Sequence, residues 1–204
     1  PRQGLAEVVE GRNALGMTAP GLARDDWRVS IGRARGPAVT ESRIRWGLCC
    51  QFLDSPIRFR AATHRYVSTL EPAARREYLA SIARDNAAAL GAAVVRCTEL
   101  GIGAFRITSQ ILPLTTHPDS GYRLSDLDDD GSIARAFAEA GATARAAGVR
   151  LSFHPDQFVV LNSEQERVVA SSIREMDAQA TMAALVGADV LTLHGGGAAG
   201  GIAA

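Results

Sequence analysis

The sequence predicts an α/β fold with a parallel sheet, and three observations carry that expectation. Four short apolar runs recur along the chain, the stretches between them place apolar residues at helical spacing, and glycines stand where those stretches stop. Strands alternating with amphipathic helices imply parallel pairing through right-handed crossovers. Hydrophobic residues make up 47% of the 204, so a packed core is within reach of the composition.

The elements follow in order. Residues 1–42 are rich in Gly, Arg, Ala and Pro without sustained periodicity, and are expected to form a poorly structured N-terminal extension. Regular patterning begins at Arg43. Residues 44–50 fit a buried strand. Residues 71–100 are Ala-rich at helical spacing, giving one long helix or two, with Pro72 suited to the first turn and Gly101 placed at the end. Residues 103–108 read as the second strand. Residues 132–147 are helical until Gly148, and residues 149–153 form the third strand. Residues 164–186 are helical, with Ser163 as the expected N-cap and Gly187 after the end. Residues 188–193 make the fourth strand. This pattern leaves two architectures open, a doubly wound sheet and a (β/α)₈ barrel. A barrel has eight strands in about 250 residues, so the four strands of residues 43–204 would be its N-terminal half. The glycine-rich ending from Gly195 to Gly201 has no helix after it, and a truncated chain is expected.

Charge and cysteine usage narrow the function classes. Formal net charge is zero and all 22 basic residues are Arg, so lysine catalysis is excluded within these residues and a strongly basic nucleic-acid footprint is absent. Cys49, Cys50 and Cys97 do not make a disulfide framework and read as buried free thiols of a reducing cytoplasm; Cys49 and Cys50, being adjacent, are expected on opposite strand faces. No long apolar run suggests a membrane span, and no leader is apparent.

Three of the four histidines have a common address. His117 lies in the loop soon after the second strand, His154 closes the third strand, and His194 closes the fourth. Side chains at the C-terminal strand ends of a parallel barrel converge on one face, and neutral imidazole is a common metal ligand. A shared divalent-metal or phosphate site is therefore expected there. Carboxylates are sparse: Asp156 and Asp189 are the nearby ones, and neither closes a strand.

Three other patterns are rejected. Asp126, Asp128, Asp130 and Gly131 match the start of a calcium loop, but the twelfth position is Phe137, not Glu. Gly195, Gly197 and Gly200 match a dinucleotide fingerprint but lack the following helix and acidic residue; close backbone packing beside His194 accounts better for them. No G-x-S-x-G elbow is present, so Ser109, Ser152 and His154 suggest no nucleophile.

Several segments together resemble the UV damage endonucleases. They are Leu-Cys-Cys-Gln-Phe-Leu at 48–53, Phe-Arg-Ile-Thr-Ser-Gln-Ile-Leu-Pro-Leu at 105–114, Thr-His-Pro at 116–118, Ser-Phe-His-Pro-Asp-Gln-Phe at 152–158 and Leu-His-Gly-Gly-Gly-Ala at 193–198. The resemblance implies a TIM barrel, a cluster of divalent metal ions, often manganese, and nicking of damaged double-stranded DNA on the 5′ side of UV photoproducts. By the same resemblance His154 and His194 match metal ligands and His117 matches an active-site histidine near the scissile phosphate. Gln157 and Phe158 match a Gln-Tyr pair that probes the duplex at the lesion, with Phe keeping the stacking face and losing the hydroxyl. The family's Glu, Asp and further His ligands come from later strands. An aromatic and an Asn that some relatives carry after the first strand fall here on Leu48 and Phe52. Arg58, Arg60, Arg65 and Arg123, all in expected loops, are candidate phosphate contacts. The alternative enzyme on the same metal-bearing barrel type is a sugar isomerase or epimerase. Gln157 and Phe158 protruding would favour DNA, and the same side chains packed inward would favour a sugar.

Overall fold

A computed structural model describes residues 44–196. The expectations for residues 1–42 and for Gly197 and Gly200 lie outside the described residues. The elements run β1 (Gly47–Cys49), α1 (His64–Val67), α2 (Pro72–Glu99), β2 (Ala104–Ile107), α3 (Leu124–Leu127), α4 (Ser132–Ala146), β3 (Arg150–Phe153), α5 (Glu166–Val186) and β4 (Val190–Leu191). All expected strands and long helices are present. The single-turn helices α1 and α3 fall in stretches read as loops, because four residues are too few to show a helical period.

The four strands pair in parallel in the order β1-β2-β3-β4. A strand order that never reverses, joined by right-handed crossovers, puts every long helix on the same face of the sheet. The packing agrees: α2 lies against α4, and α4 against α5. A doubly wound sheet would reverse its order and carry helices on both faces, which the described residues do not do. The architecture is that of the (β/α) barrel, with its inner face left to the side away from the helices.

Strand alternation sorts the residues. Phe105, Ile107, Leu151 and Phe153 are buried toward the helices, with Leu48 packed beside them. Gly47, Cys49, Ala104, Arg106 and Ser152 occupy the opposite face. Phe52 is 4% exposed and stacks on Phe105 at 5.9 Å, so it is a core residue.

Several boundaries differ from expectation. Ile44 and Trp46 are 84% and 75% exposed, although the Trp46 carbonyl already accepts the N–H groups of Gly103 and Ala104 at 3.0 and 3.2 Å. Cys50 leaves the strand with φ 58°, so it is not the next rung on the opposite face. Of the three free thiols only Cys97 is buried, and burial pushes it up to about 11; Cys49 is exposed. Helix α5 starts after Gln165, and Ser163 Oγ accepts the Gln165 N–H at 3.2 Å instead of capping the helix directly. Gly101, Gly148 and Gly187 all take φ between 67° and 69° after their helices, the left-handed stop that glycine permits. Among the described residues no helix is long and apolar enough to cross a membrane.

Gly141 in α4 lies directly against the end of α5. A Cβ there would overlap the Val186 carbonyl at the end of α5. Alanine is the better helix former by about 1 kcal/mol, but the clash is with backbone that cannot swing aside. Gly141→Ala is therefore expected to lose about 1–3 kcal/mol net, read as a lowered midpoint in denaturant. An unchanged or raised midpoint would show that the two helices have room to part.

Candidate functional site

The acidic run before α4 is a capping device. Asp128 accepts the N–H groups of Ile133 and Ala134, both at 2.9 Å, and Asp130 accepts that of Ser132 at 3.0 Å. Asp126 accepts the Arg123 N–H at 2.8 Å ahead of α3. These carboxylates satisfy helix N-termini, in line with the rejection of a calcium loop.

His154 and His194 extend from the C-terminal ends of the neighbouring strands β3 and β4. The Thr192 N–H donates to the Phe153 carbonyl at 2.9 Å and carries the pairing one step beyond β4. The two rings meet edge-on at 4.4 Å between centroids and 87°. His154 is half-buried and His194 exposed. Imidazole nitrogens are among the donors that divalent cations take. Asp189 is not their partner: it stands at the start of β4, where its bonds to Arg150 Nε at 2.8 and 3.0 Å hold its carboxyl below the ordinary range. The close packing expected for the glycines beside His194 is not found at Gly195, which has open space around it; a Cβ at the neighbouring Gly196 would overlap the Asn162 side chain.

Asp156 has a turn-forming role. Its carboxylate accepts the Phe158 N–H at 3.0 Å and its carbonyl accepts the Val159 N–H at 2.9 Å. This turn, directly after His154-Pro155, leaves Gln157 exposed and Phe158 77% exposed, while Val159 returns to the interior. A large aromatic held outward by a hydrogen-bonded turn presents a stacking surface.

His117 is set in a different cluster, with the fourth histidine that the sequence reading passed over. Its ring stacks on that of His64 at 4.2 Å and 14°. The loop from β2 to α3 is tightly fixed. Leu114 takes φ 68°, the His117 N–H donates to the Leu114 carbonyl at 2.9 Å, and Gly121 N–H donates to the His117 carbonyl at 2.8 Å. A Cβ at Gly121 would stand 2.6 Å from that same carbonyl oxygen, so only glycine closes the turn. Tyr122 hydroxyl donates to the Pro113 carbonyl at 2.8 Å, and burial raises its pKa, keeping it a neutral donor. Asn86 of α2, wholly buried, ties this loop to the one before α1. It accepts the Arg60 N–H at 2.7 Å and donates to the carbonyls of Arg60 at 3.0 Å and Ile111 at 2.8 Å.

His64, His117 and Asp119 bring one possible donor atom each within 4.8 Å of one another, a spacing that admits a divalent cation. The hydrogen bonds give His117 a second character. Its Nδ1 accepts the N–H groups of Asp119 at 3.1 Å and Ser120 at 3.3 Å, so the neutral ring carries its proton on Nε2 and offers a donor there. A cleft of about 820 Å³ opens beside it, lined by Thr116, Tyr122, Arg123, Glu175 and Gln179 among others.

Two of the candidate phosphate arginines are already committed. Arg58 donates to the carbonyls of Phe52, Ser55 and Ile57, and Arg60 pairs with Asp85 and lies 5.7 Å from the Tyr78 ring centroid. Arg65 and Arg123 are exposed.

Comparison with known proteins adds to this geometry. Residues 44–204 match a family model described as UV-endonuclease UvdE. The UV DNA damage endonuclease of Deinococcus radiodurans is 34% identical over 171 residues, covering 78% of this chain and 53% of the relative. That of Nostoc sp. is 30% identical over 156 residues, covering 74% and 47%. A crystal structure of SacUVDE superimposes with a TM-score of 0.67 at 25% identity, covering 78% of this chain and 52% of that one. The chain spans about half the length of the curated relatives it matches.

Proposed function

The chain belongs to the UV-endonuclease UvdE family, and from that premise we propose that the complete gene product is a metal-dependent DNA-repair endodeoxyribonuclease that hydrolyses the phosphodiester 5′ to UV photoproducts. The observation that carries this reading is the edge-on pair His154 and His194 at adjacent strand ends, one turn away from an outward-held Phe158. His154 and His194 would hold a divalent metal, with manganese the first candidate. Two neutral nitrogen donors at neighbouring strand ends fit such an ion, as part of a larger ligand set. When bound, the metal would polarise the phosphodiester and lower the pKa of a water.

Other residues of the chain would contact the substrate. His117, with Nδ1 committed to two backbone N–H groups, presents Nε2–H as a donor to phosphate oxygen. Gln157 and Phe158 would enter the damaged duplex, where unstacking costs least because the bases are already poorly paired. Arg65 and Arg123 remain available to the backbone of damaged double-stranded DNA. Unpaired thiols suit a cytoplasmic protein. The sugar isomerase reading wants side chains packed inward around a small substrate, and the exposure of Phe158 argues against it.

Irradiated and unirradiated supercoiled plasmid, each with manganese or with chelator, test the proposal. Relaxation of the irradiated plasmid alone, and only with metal, is expected. Equal nicking of both plasmids, or nicking in chelator, would contradict it.

The wedge has its own test. Phe158→Ala is expected to weaken binding to damaged duplex by about 1–3 kcal/mol while leaving the melting temperature nearly unchanged, since the ring is 77% exposed. Normal lesion affinity, or a loss of stability of the size a core Phe would give, about 3–5 kcal/mol, would overturn the wedge assignment.

A further inference from the structure

We infer that His64 is a positioning residue for His117, holding the His117 ring in one plane; this rests on the proposed role of His117 in phosphodiester cleavage. His64 comes from a separate element, 53 residues earlier in the chain. It is the first residue of α1, whose N-cap Thr63 accepts the Tyr66 N–H through its side chain, and whose Val67 is wholly buried. The helix turn is thus anchored at both ends. From it the His64 ring lies nearly parallel to His117, 4.2 Å away.

One residue links the two rings. Ser120 is 5% exposed; its hydroxyl lies 2.6 Å from His64 Nδ1, and its backbone N–H donates to His117 Nδ1 at 3.3 Å. The His117 turn therefore fixes His64, and the face of His64 in turn closes one side of the His117 ring. A stacked neighbour blocks rotation of His117 about its Cβ–Cγ bond, which the backbone donors at Nδ1 alone restrain only at one edge. With the ring locked, the Nε2 donor keeps one direction before substrate arrives. Displacing a reacting group by about 1 Å costs on the order of 100-fold in rate, so a residue that prevents that displacement acts on turnover and not on binding.

The test uses the complete, manganese-loaded enzyme on a duplex carrying one photoproduct, with kcat and KM measured separately. His64→Ala should lower kcat by about 10- to 100-fold with KM unchanged. His64→Phe keeps a flat ring against His117 and should recover most of that loss, and it serves as well if His64→Ala fails to fold. In the His117→Ala background, His64→Ala should have no further effect, because there is no ring left to position. Full activity of His117→Ala would overturn the role of His117 itself. If His117→Ala is impaired, three results would overturn the positioning inference alone. They are a His64→Ala kcat within about twofold of the parent, losses that multiply in the double variant, or a raised manganese requirement, which would make His64 a ligand instead.

Discussion

His194→Ala, and separately His154→Ala, should lower nicking of irradiated DNA by at least about 100-fold in the complete gene product, since changing even the groups behind a metal ligand costs about 10- to 100-fold. Both residues follow paired strands, and their rings touch. Removing either leaves one imidazole where the ion needs several donors. The loss should appear equally in manganese affinity measured by calorimetry. Stability should not fall at His194, which is exposed and outside the hydrophobic core. A His194→Ala protein that binds manganese and nicks normally would reduce the pair to a packing contact at a sheet edge.

A large loss of stability is expected at Asn86. Its side chain makes three hydrogen bonds to two loops, all of them part-buried or buried. Asn86→Ala leaves the Arg60 N–H and the carbonyls of Arg60 and Ile111 without their side-chain partner in a largely buried site. Each lost bond is worth about 1 kcal/mol and each stranded group costs more, so a total of about 3 kcal/mol is expected, read as a denaturant midpoint. Asn86→Leu should do no better, because filling the volume does not satisfy the backbone. Because one bond holds Ile111, six residues before His117, and two hold Arg60, four before His64, the stacked histidines should loosen together. A variant that loses less than about 1 kcal/mol would mean that water or a loop shift replaces the amide.

The fold was largely legible because its signals are local. Glycines 101, 148 and 187 stop helices in the one conformation that favours them, and Pro72 starts α2 at its first position. The site was legible where it follows strand ends: His154 and His194 come together because adjacent parallel strands finish side by side. It was not legible where loops decide. His64 precedes its partner by 53 residues and has no periodic context, so nothing in the sequence ties it to His117. Asn86 sits among alanines in a long helix, and its buried role depends on two distant loops. Arg58 and Arg60 have the composition of phosphate contacts but are consumed by carbonyls and by Asp85. Ile44 and Trp46 satisfy strand composition, yet both side chains are exposed.

The most direct measurement is incision mapping on an end-labelled duplex that holds a single UV photoproduct, resolved to one nucleotide. With manganese, the complete gene product should give one product, ending on the 5′ side of the lesion, and nothing from the undamaged duplex. Cuts scattered along the strand, cuts only 3′ of the lesion, or no incision by a folded, manganese-bound protein would contradict the proposed function.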